Sequence, residues 1–144
     1  MGTSKKDIKT FQDLNVWKKA RTVRNGISNL SNNLPEEEKY RLKDQLIRAS
    51  RSVTANIAEG YGRFHYQENI QFCRQARGSL YELLDHLSCG VDEGLLSYEE
   101  VKDLKKAIHN CIQLLNGYIR YLKKAKQDHI TKEPSIEYDS NPDT

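Results

Sequence analysis

Five arginines lie in or on either side of the turn at residues 60–65, which is rich in glycine and aromatic side chains. They are Arg48, Arg51, Arg63, Arg74 and Arg77. The first two and the last two are spaced i, i+3, which places each pair on one side of a helix. Guanidinium groups form paired hydrogen bonds with phosphates, and rings such as Tyr61, Phe64 and Tyr66 can stack on unpaired bases. The pattern predicts binding of RNA or DNA. An alternative stays open, in which these arginines pair with acids such as Glu59 or Glu82.

A polar line runs along the second predicted helix, opposite its apolar side. Its members recur at helical spacings of 3, 4, 4 and 3 and are Gln45, Arg48, Ser52, Asn56 and Glu59. A merely solvated face would favour Lys and Glu, whereas short Ser and Asn side chains beside Ala49, Ala55 and Ala58 allow another backbone to approach closely. We therefore predict an oligomer interface at Gln45, Ser52, Asn56 and Glu59. A solvated face is the alternative.

The sequence contains no arrangement typical of an enzyme or a cofactor site. Di-iron bundles need inward Glu-x-x-His pairs, and the chain has none. Its four histidines are scattered, no arginine is followed by histidine at the interval of a helical RNase, and no Gly-rich phosphate loop is present. We predict a protein that is not an enzyme and that holds neither a metal nor a cofactor.

Length and charge suggest one domain with dissimilar ends. The chain has 144 residues and a net charge of +3, which divides into +7 over residues 1–127 and −4 over residues 128–144. We predict a flexible N-terminus at 1–10, a helical domain at 11–127 and a disordered acidic tail at 128–144. No apolar run suits a membrane span or a secretion signal, so we expect a cytoplasmic protein without membrane contact. Three widely spaced cysteines predict buried free thiols.

The periodicity between these ends is helical throughout. Apolar stripes at 3- and 4-residue spacing predict four helices, the third at about residues 66–93. Pro35 and three following glutamates predict the start of the second helix, and Gly60 its end. Gly94 is predicted to end the third helix. Ser97 with Glu100 forms a capping box that predicts the start of the fourth. Short connections predict an all-α, antiparallel, up-down-up-down four-helix bundle.

Several segments of the chain carry a family resemblance. They are FQDLNVWKKA at 11–20, LPEEE at 34–38, QLIRASRSVTANIAEGYGR at 45–63, ARGSLYEL at 76–83 and LNGYIRYL at 115–122. Together they resemble the bacterial four-helix-bundle family named for proteins encoded in 23S rRNA intervening sequences. Thr54 stands where that family often has proline.

The resemblance implies a ring-shaped homopentamer with a basic surface. It also implies kinship with accessory variability determinants of diversity-generating retroelements, whose pentamers bind nucleic acid and a reverse transcriptase. Two function classes follow. One is a nucleic-acid-binding oligomer that acts as an RNA or cDNA chaperone, or beside a reverse transcriptase. The other is a pentameric scaffold for a protein partner, with no direct role at nucleic acid.

Overall fold

The computed structural model describes residues 7–132, and within that range every regular element is helical. The long helices are α1 (Asn15–Ser31), α2 (Leu42–Gly62), α3 (Tyr66–Asp92) and α4 (Tyr98–Lys132). Neighbouring helices pack in the order α1, α2, α3, α4, and α4 also packs against α1. The chain is therefore a four-helix bundle. None of the helices in the described part of the chain is both long and apolar enough to cross a bilayer.

The predicted apolar stripes form one continuous core along the bundle axis. Side chains from all four helices are fully or almost fully buried in it, among them Val23, Ile27, Leu46, Val53, Ile57, Leu80, Leu83, Leu87, Ile108 and Leu115. Burial of one such Leu or Ile contributes about 1.5–3 kcal/mol. Because these residues recur every three or four positions, each helix must turn the same face inward along its whole length.

The start of α2 differs from the prediction. Pro35 does not open the helix, because Glu36–Glu38 form a separate 3-10 turn and α2 begins only at Leu42. The backbone of Arg41, with φ −122° and ψ −107°, is not helical and separates the 3-10 turn from α2. The Glu38 carboxylate then accepts a hydrogen bond from the Leu42 N–H at 3.2 Å, which satisfies one of the free donors at the new helix start.

The end of α2 also corrects the prediction. Gly60 does not stop the helix, which continues to Gly62. Gly60 is buried, and a Cβ atom there would lie 2.7 Å from Asn69 Oδ1 and 3.0 Å from Phe72 Cβ. A glycine is needed at position 60 because α2 approaches α3 closely there. The left-handed backbone that glycine usually supplies is instead adopted by Phe64, with φ 60°.

The boundary between α3 and α4 matches the sequence signals. Gly94 has φ 75° and follows the last turn of α3, as expected of a helix-ending glycine. The Ser97 hydroxyl accepts the Glu100 N–H at 3.1 Å, and the Glu100 carboxylate accepts the Ser97 N–H at 2.8 Å. Both capping-box hydrogen bonds are thus present, and the predicted start of the fourth helix is confirmed.

The helical region ends later than the domain boundary expected from the sequence. α4 continues to Lys132, five residues beyond position 127. The rest of the predicted acidic tail, residues 133–144, and the first six residues of the predicted N-terminal segment lie outside the described residues.

Candidate nucleic-acid interface

An open cavity of about 610 Å³ lies at one end of the bundle. Four parts of the chain meet there: the residues around the start of α1, the end of α2 with the following turn, the start of α3, and the later part of α4. The cavity is lined by Ile8, Leu14, Asn15, Val16, Tyr61, Phe64, His65, Tyr66, Asn69, Leu114, Tyr118, Tyr121 and Leu122. We call this the aromatic cavity, and the end of the bundle that holds it the cavity end.

The aromatic cavity exposes large apolar surfaces to solvent. Phe64 is 87% exposed, and Tyr66, Leu114 and Tyr121 are each about two-fifths exposed. Tyr118 and Tyr121 stand nearly parallel, with an interplanar angle of 13° and ring centroids 6.2 Å apart. Exposed apolar side chains gathered in one place, rather than scattered singly, are typical of interaction sites.

A hydrogen-bonded polar pair, one buried residue and one partly buried, lies in the lining of the cavity. Asn69 is 8% exposed, and its Nδ2 donates a hydrogen bond to the Tyr118 hydroxyl at 3.3 Å. The Cys73 thiol in turn donates to Asn69 Oδ1 at 3.5 Å. Burial raises the pKa of Tyr118 to about 12, so the hydroxyl keeps its proton at neutral pH. Since this hydroxyl already accepts from Asn69, its own proton remains available to an acceptor in the cavity.

Charge is divided unequally between the segments that supply most of the cavity lining and the rest of the helices. In the segments at the cavity end, residues 7–22, 53–79 and 115–129, eleven Lys and Arg stand against five Asp and Glu, a net +6. In the remaining segments, 23–52 and 80–114, nine Lys and Arg stand against eleven Asp and Glu, a net −2. The lining of the cavity itself contains no Lys, Arg, Asp or Glu. The segments that supply most of the lining therefore carry excess positive charge, whereas the lining itself has no Lys, Arg, Asp or Glu, a combination that suits a polyanion carrying flat apolar groups.

Three of the five predicted arginines have partners within the chain. Nε of Arg48 lies 2.9 Å from Asp44 Oδ2, and Nη2 of Arg63 lies 2.9 Å from Glu59 Oε2. Arg77 Nη1 donates to Asn116 Oδ1 at 2.7 Å, which ties α3 to α4. The pairing that the alternative expected with Glu59 is thus present for one arginine. All of the charged pairs are substantially exposed, so each contributes little to stability.

Arg51 and Arg74, the other two predicted arginines, are exposed. Within residues 7–132, neither guanidinium has an ion pair or a hydrogen bond. The helical rise of 1.5 Å per residue separates Arg48 from Arg63 by about 22 Å along α2. The five arginines therefore lie along the bundle rather than in one cluster, and only Arg63, Arg74 and Arg77 belong to the cavity end.

The predicted interface on α2 has a structural use inside the protomer. Ser79 of α3 donates a hydrogen bond to the Ser52 hydroxyl at 2.9 Å. Asn56 Nδ2 donates to both the carbonyl and the hydroxyl oxygen of Ser52, each at 2.9 Å. Ser52 and Asn56 are consequently half-buried, whereas Gln45 and Glu59 are exposed. The short polar side chains help α2 pack closely on α3, and their role in an oligomer stays a prediction.

Several cavity residues lay beyond the sequence interpretation. It singled out Tyr61, Phe64 and Tyr66 but missed Tyr118 and Tyr121 on α4, and it missed the contribution of the start of α1. The i, i+3 spacing of the two α4 tyrosines marks them as neighbours on one face, which is a usable signal. Nothing in the sequence placed that face opposite the turn between α2 and α3.

The thiols divide into two kinds. Cys73 and Cys111 are buried as predicted, and burial raises the pKa of each to about 12. Cys89 is exposed, so the prediction of burial is wrong for this residue, which lies on the outward side of α3. Its thiol donates to Glu93 Oε2 at 3.2 Å, and this hydrogen bond raises the Cys89 pKa.

Across the described residues, no three His, Cys, Asp or Glu side chains are grouped so that they could hold a metal ion.

Comparison with known proteins supports the family resemblance. Residues 12–117 match the family described as 23S rRNA-intervening sequence protein. The matched segment includes α1, α2, α3 and more than half of α4, and with them most of the lining of the aromatic cavity. A search among curated proteins found no match. The match covers well over half of the 144 residues, and the chain belongs to the family of 23S rRNA-intervening sequence proteins.

Proposed function

We propose that this chain is a non-enzymatic nucleic-acid-binding protein that contacts RNA with the cavity end of the bundle. The observation that carries the proposal is the unequal charge of the helical segments, +6 over residues 7–22, 53–79 and 115–129 and −2 over residues 23–52 and 80–114. A polyphosphate approaching such a molecule is attracted to one end and repelled by the other. The exposed rings at the same end would suit unpaired bases, which favours single-stranded over duplex RNA.

The proposal includes an antiparallel, up-down-up-down course of the four helices. Hydrogen-bonded residue pairs between α3 and α4 support the antiparallel course. Along these pairs, the residue number on α4 falls as the residue number on α3 rises. Gln67 accepts a hydrogen bond from Lys126, and Asn69 and Arg77 donate to Tyr118 and Asn116. An antiparallel course brings the three segments with excess positive charge, residues 7–22, 53–79 and 115–129, to the same end.

The proposal also includes assembly into a ring-shaped homopentamer, as the family resemblance implies. In such a ring several cavity ends would face the same ligand, so modest binding by one protomer would become avid binding by the assembly. Action as an RNA or cDNA chaperone and partnership with a reverse transcriptase stay predictions of the resemblance.

The test is a salt titration of RNA binding with charge-matched variants. Arg74→Gln with Lys123→Gln removes two exposed cations from the cavity end. Lys43→Gln with Lys106→Gln removes the same charge from the rest of the bundle and serves as the control. Each phosphate contact contributes about 0.7 to the slope of log affinity against log salt for a single strand. We expect the first variant to flatten the slope by about 1.4 when both cations contact phosphates, and the control to leave it nearly unchanged.

Two results would overturn the proposal. Equal effects of the two variants would mean that only total charge matters and that the cavity end has no special role. Absence of binding to RNA and DNA at low salt would favour the alternative function, a pentameric scaffold for another protein. Native mass spectrometry of the same samples tests the ring, because a protomer mass alone would exclude it.

A further inference from the structure

We propose that the aromatic cavity receives one unpaired nucleobase from a bound RNA strand. The inference rests on the proposed function and identifies how the cavity end would distinguish single strands from duplexes. In a duplex the base faces are covered by stacking, and only an unpaired base can turn into a recess. The volume of about 610 Å³ is within the range of small-ligand sites, roughly 300–1,000 Å³.

The backbone at Phe64 is the first line of support. Phe64 has a left-handed conformation with φ 60°, which costs a residue with a Cβ about 1–2 kcal/mol. Its ring gains little from burial in return, because the residue is 87% exposed. Strain that packing does not repay is found preferentially at functional sites. Here it holds an aromatic ring at the mouth of the cavity.

The side chains of the cavity wall give a second line of support for a nucleobase site. Rings from α2, α3 and α4 supply faces on which a base can stack. The proton of the Tyr118 hydroxyl is available to a carbonyl or ring nitrogen of that base, because the oxygen already accepts from Asn69. A purely structural apolar recess would not need this hydrogen-bonded polar pair.

The distribution of charged residues in and near the cavity lining gives a third line of support for a nucleobase site. The lining has no Lys, Arg, Asp or Glu, so it suits a neutral flat group rather than a phosphate. Exposed cations occur close by in sequence on both flanking helices, Lys18 on α1 and Lys123 on α4. A strand can therefore place its base in the uncharged recess while its phosphates remain at the charged rim.

The experiment combines a protein variant with a change in the ligand. The probes are a labelled single-stranded RNA of about 12 nucleotides, the same strand with abasic residues throughout, and the same strand annealed to its complement. The variants are Phe64→Ala and Tyr121→Ala. Tyr98→Ala is the control, because Tyr98 is also exposed, at 64%, and does not line the cavity.

The expected result is a loss that depends on the base. Removing one stacking ring should weaken binding of the intact single strand about 5- to 100-fold. Binding of the abasic strand and of the duplex should change by less than about 2-fold, and the salt slope of the intact strand should stay the same. Tyr98→Ala should behave as the parent. Since Phe64 is almost fully exposed, its replacement should not unfold the bundle, and circular dichroism checks this.

The base site can be refuted by results that leave the proposed RNA binding intact. If the intact strand binds with a steep salt slope but Phe64→Ala and Tyr121→Ala weaken intact and abasic strands equally, RNA binding stands and the base site is refuted. A change in native mass on Phe64→Ala would assign the cavity to a second copy of the chain. Loss of the Phe64→Ala effect after removal of residues 133–144 would assign it to that segment. Either outcome overturns the base site.

Discussion

Replacement of Gly60 by alanine should destabilise the bundle, although alanine is the better helix former. Gly60 lies within α2, where glycine costs about 1 kcal/mol relative to alanine. Against this gain, the new Cβ would lie 2.7 Å from Asn69 Oδ1, 3.0 Å from Phe72 Cβ and 3.1 Å from the Asn69 carbonyl oxygen. Optimal carbon contacts are about 3.5–4.0 Å, so α3 or the Asn69 side chain must move.

Both movements have a cost. Displacing α3 disturbs a closely packed contact, and overpacking of this kind costs about 1–3 kcal/mol. Rotating Asn69 breaks its hydrogen bond to Tyr118, and a buried polar group left without a partner costs about 1–3 kcal/mol. Subtracting the gain of about 1 kcal/mol in helix propensity from a cost of about 1–3 kcal/mol, we expect the free energy of unfolding to fall by about 1 kcal/mol, and by about 2 kcal/mol at most.

The assay is urea denaturation followed by circular dichroism, at one protein concentration because oligomers have concentration-dependent stability. Gly78→Ala is the matched control. Gly78 is an exposed glycine inside α3, and apart from the backbone of its own helix a Cβ there would have no neighbouring atom within 4 Å. That variant should gain about 0.5–1 kcal/mol. Opposite signs for the two variants are expected. A Gly60→Ala protein that is as stable as the parent, or more stable, would refute the argument from close approach.

Three further predictions concern single groups. Phe64→Gly should be about 1 kcal/mol more stable than Phe64→Ala in urea denaturation, because only glycine relieves the left-handed strain. Thiol labelling of the folded protein should proceed first at Cys89, and Glu93→Gln should accelerate it near neutral pH, because the Glu93 hydrogen bond raises the Cys89 pKa. Hydrogen bonds from the backbone N–H of Lys9, and then of Thr10, lower the Asp13 pKa below 3.8. The stabilisation of the folded protein by the Asp13 carboxylate should therefore be complete above the ordinary pKa of aspartate. It should be lost as the pH falls through the lowered pKa of Asp13. The stability difference from Asp13→Asn, measured across that range, should shrink on acidification.

The helices and the core could be predicted from the sequence because both depend on local regularities. The stripe from Val101 to Leu122 repeats so regularly that only a helix can bury it on one side. The capping box at Ser97 is equally local, since both of its partners lie within one turn. The signals at Pro35 and Gly60 were misleading because each residue type has more than one structural use. Close approach to α3 explains Gly60, and that contact cannot be read from α2 alone.

The candidate site shows the same division between local and long-range information. The class of the fold, the inward faces of the helices and the arginines and aromatic residues around the turn after α2 could all be read from local sequence patterns. No local pattern indicated that Leu114, Tyr118 and Tyr121 of α4 line one cavity with Phe64 and Asn69, because that depends on how α4 packs against the rest of the bundle. The excess positive charge at that end is likewise the sum of segments far apart in the chain. Burial of four apolar stripes in one core is the physical cause, because the packing that removes them from water also sets which side chains meet at each end of the bundle.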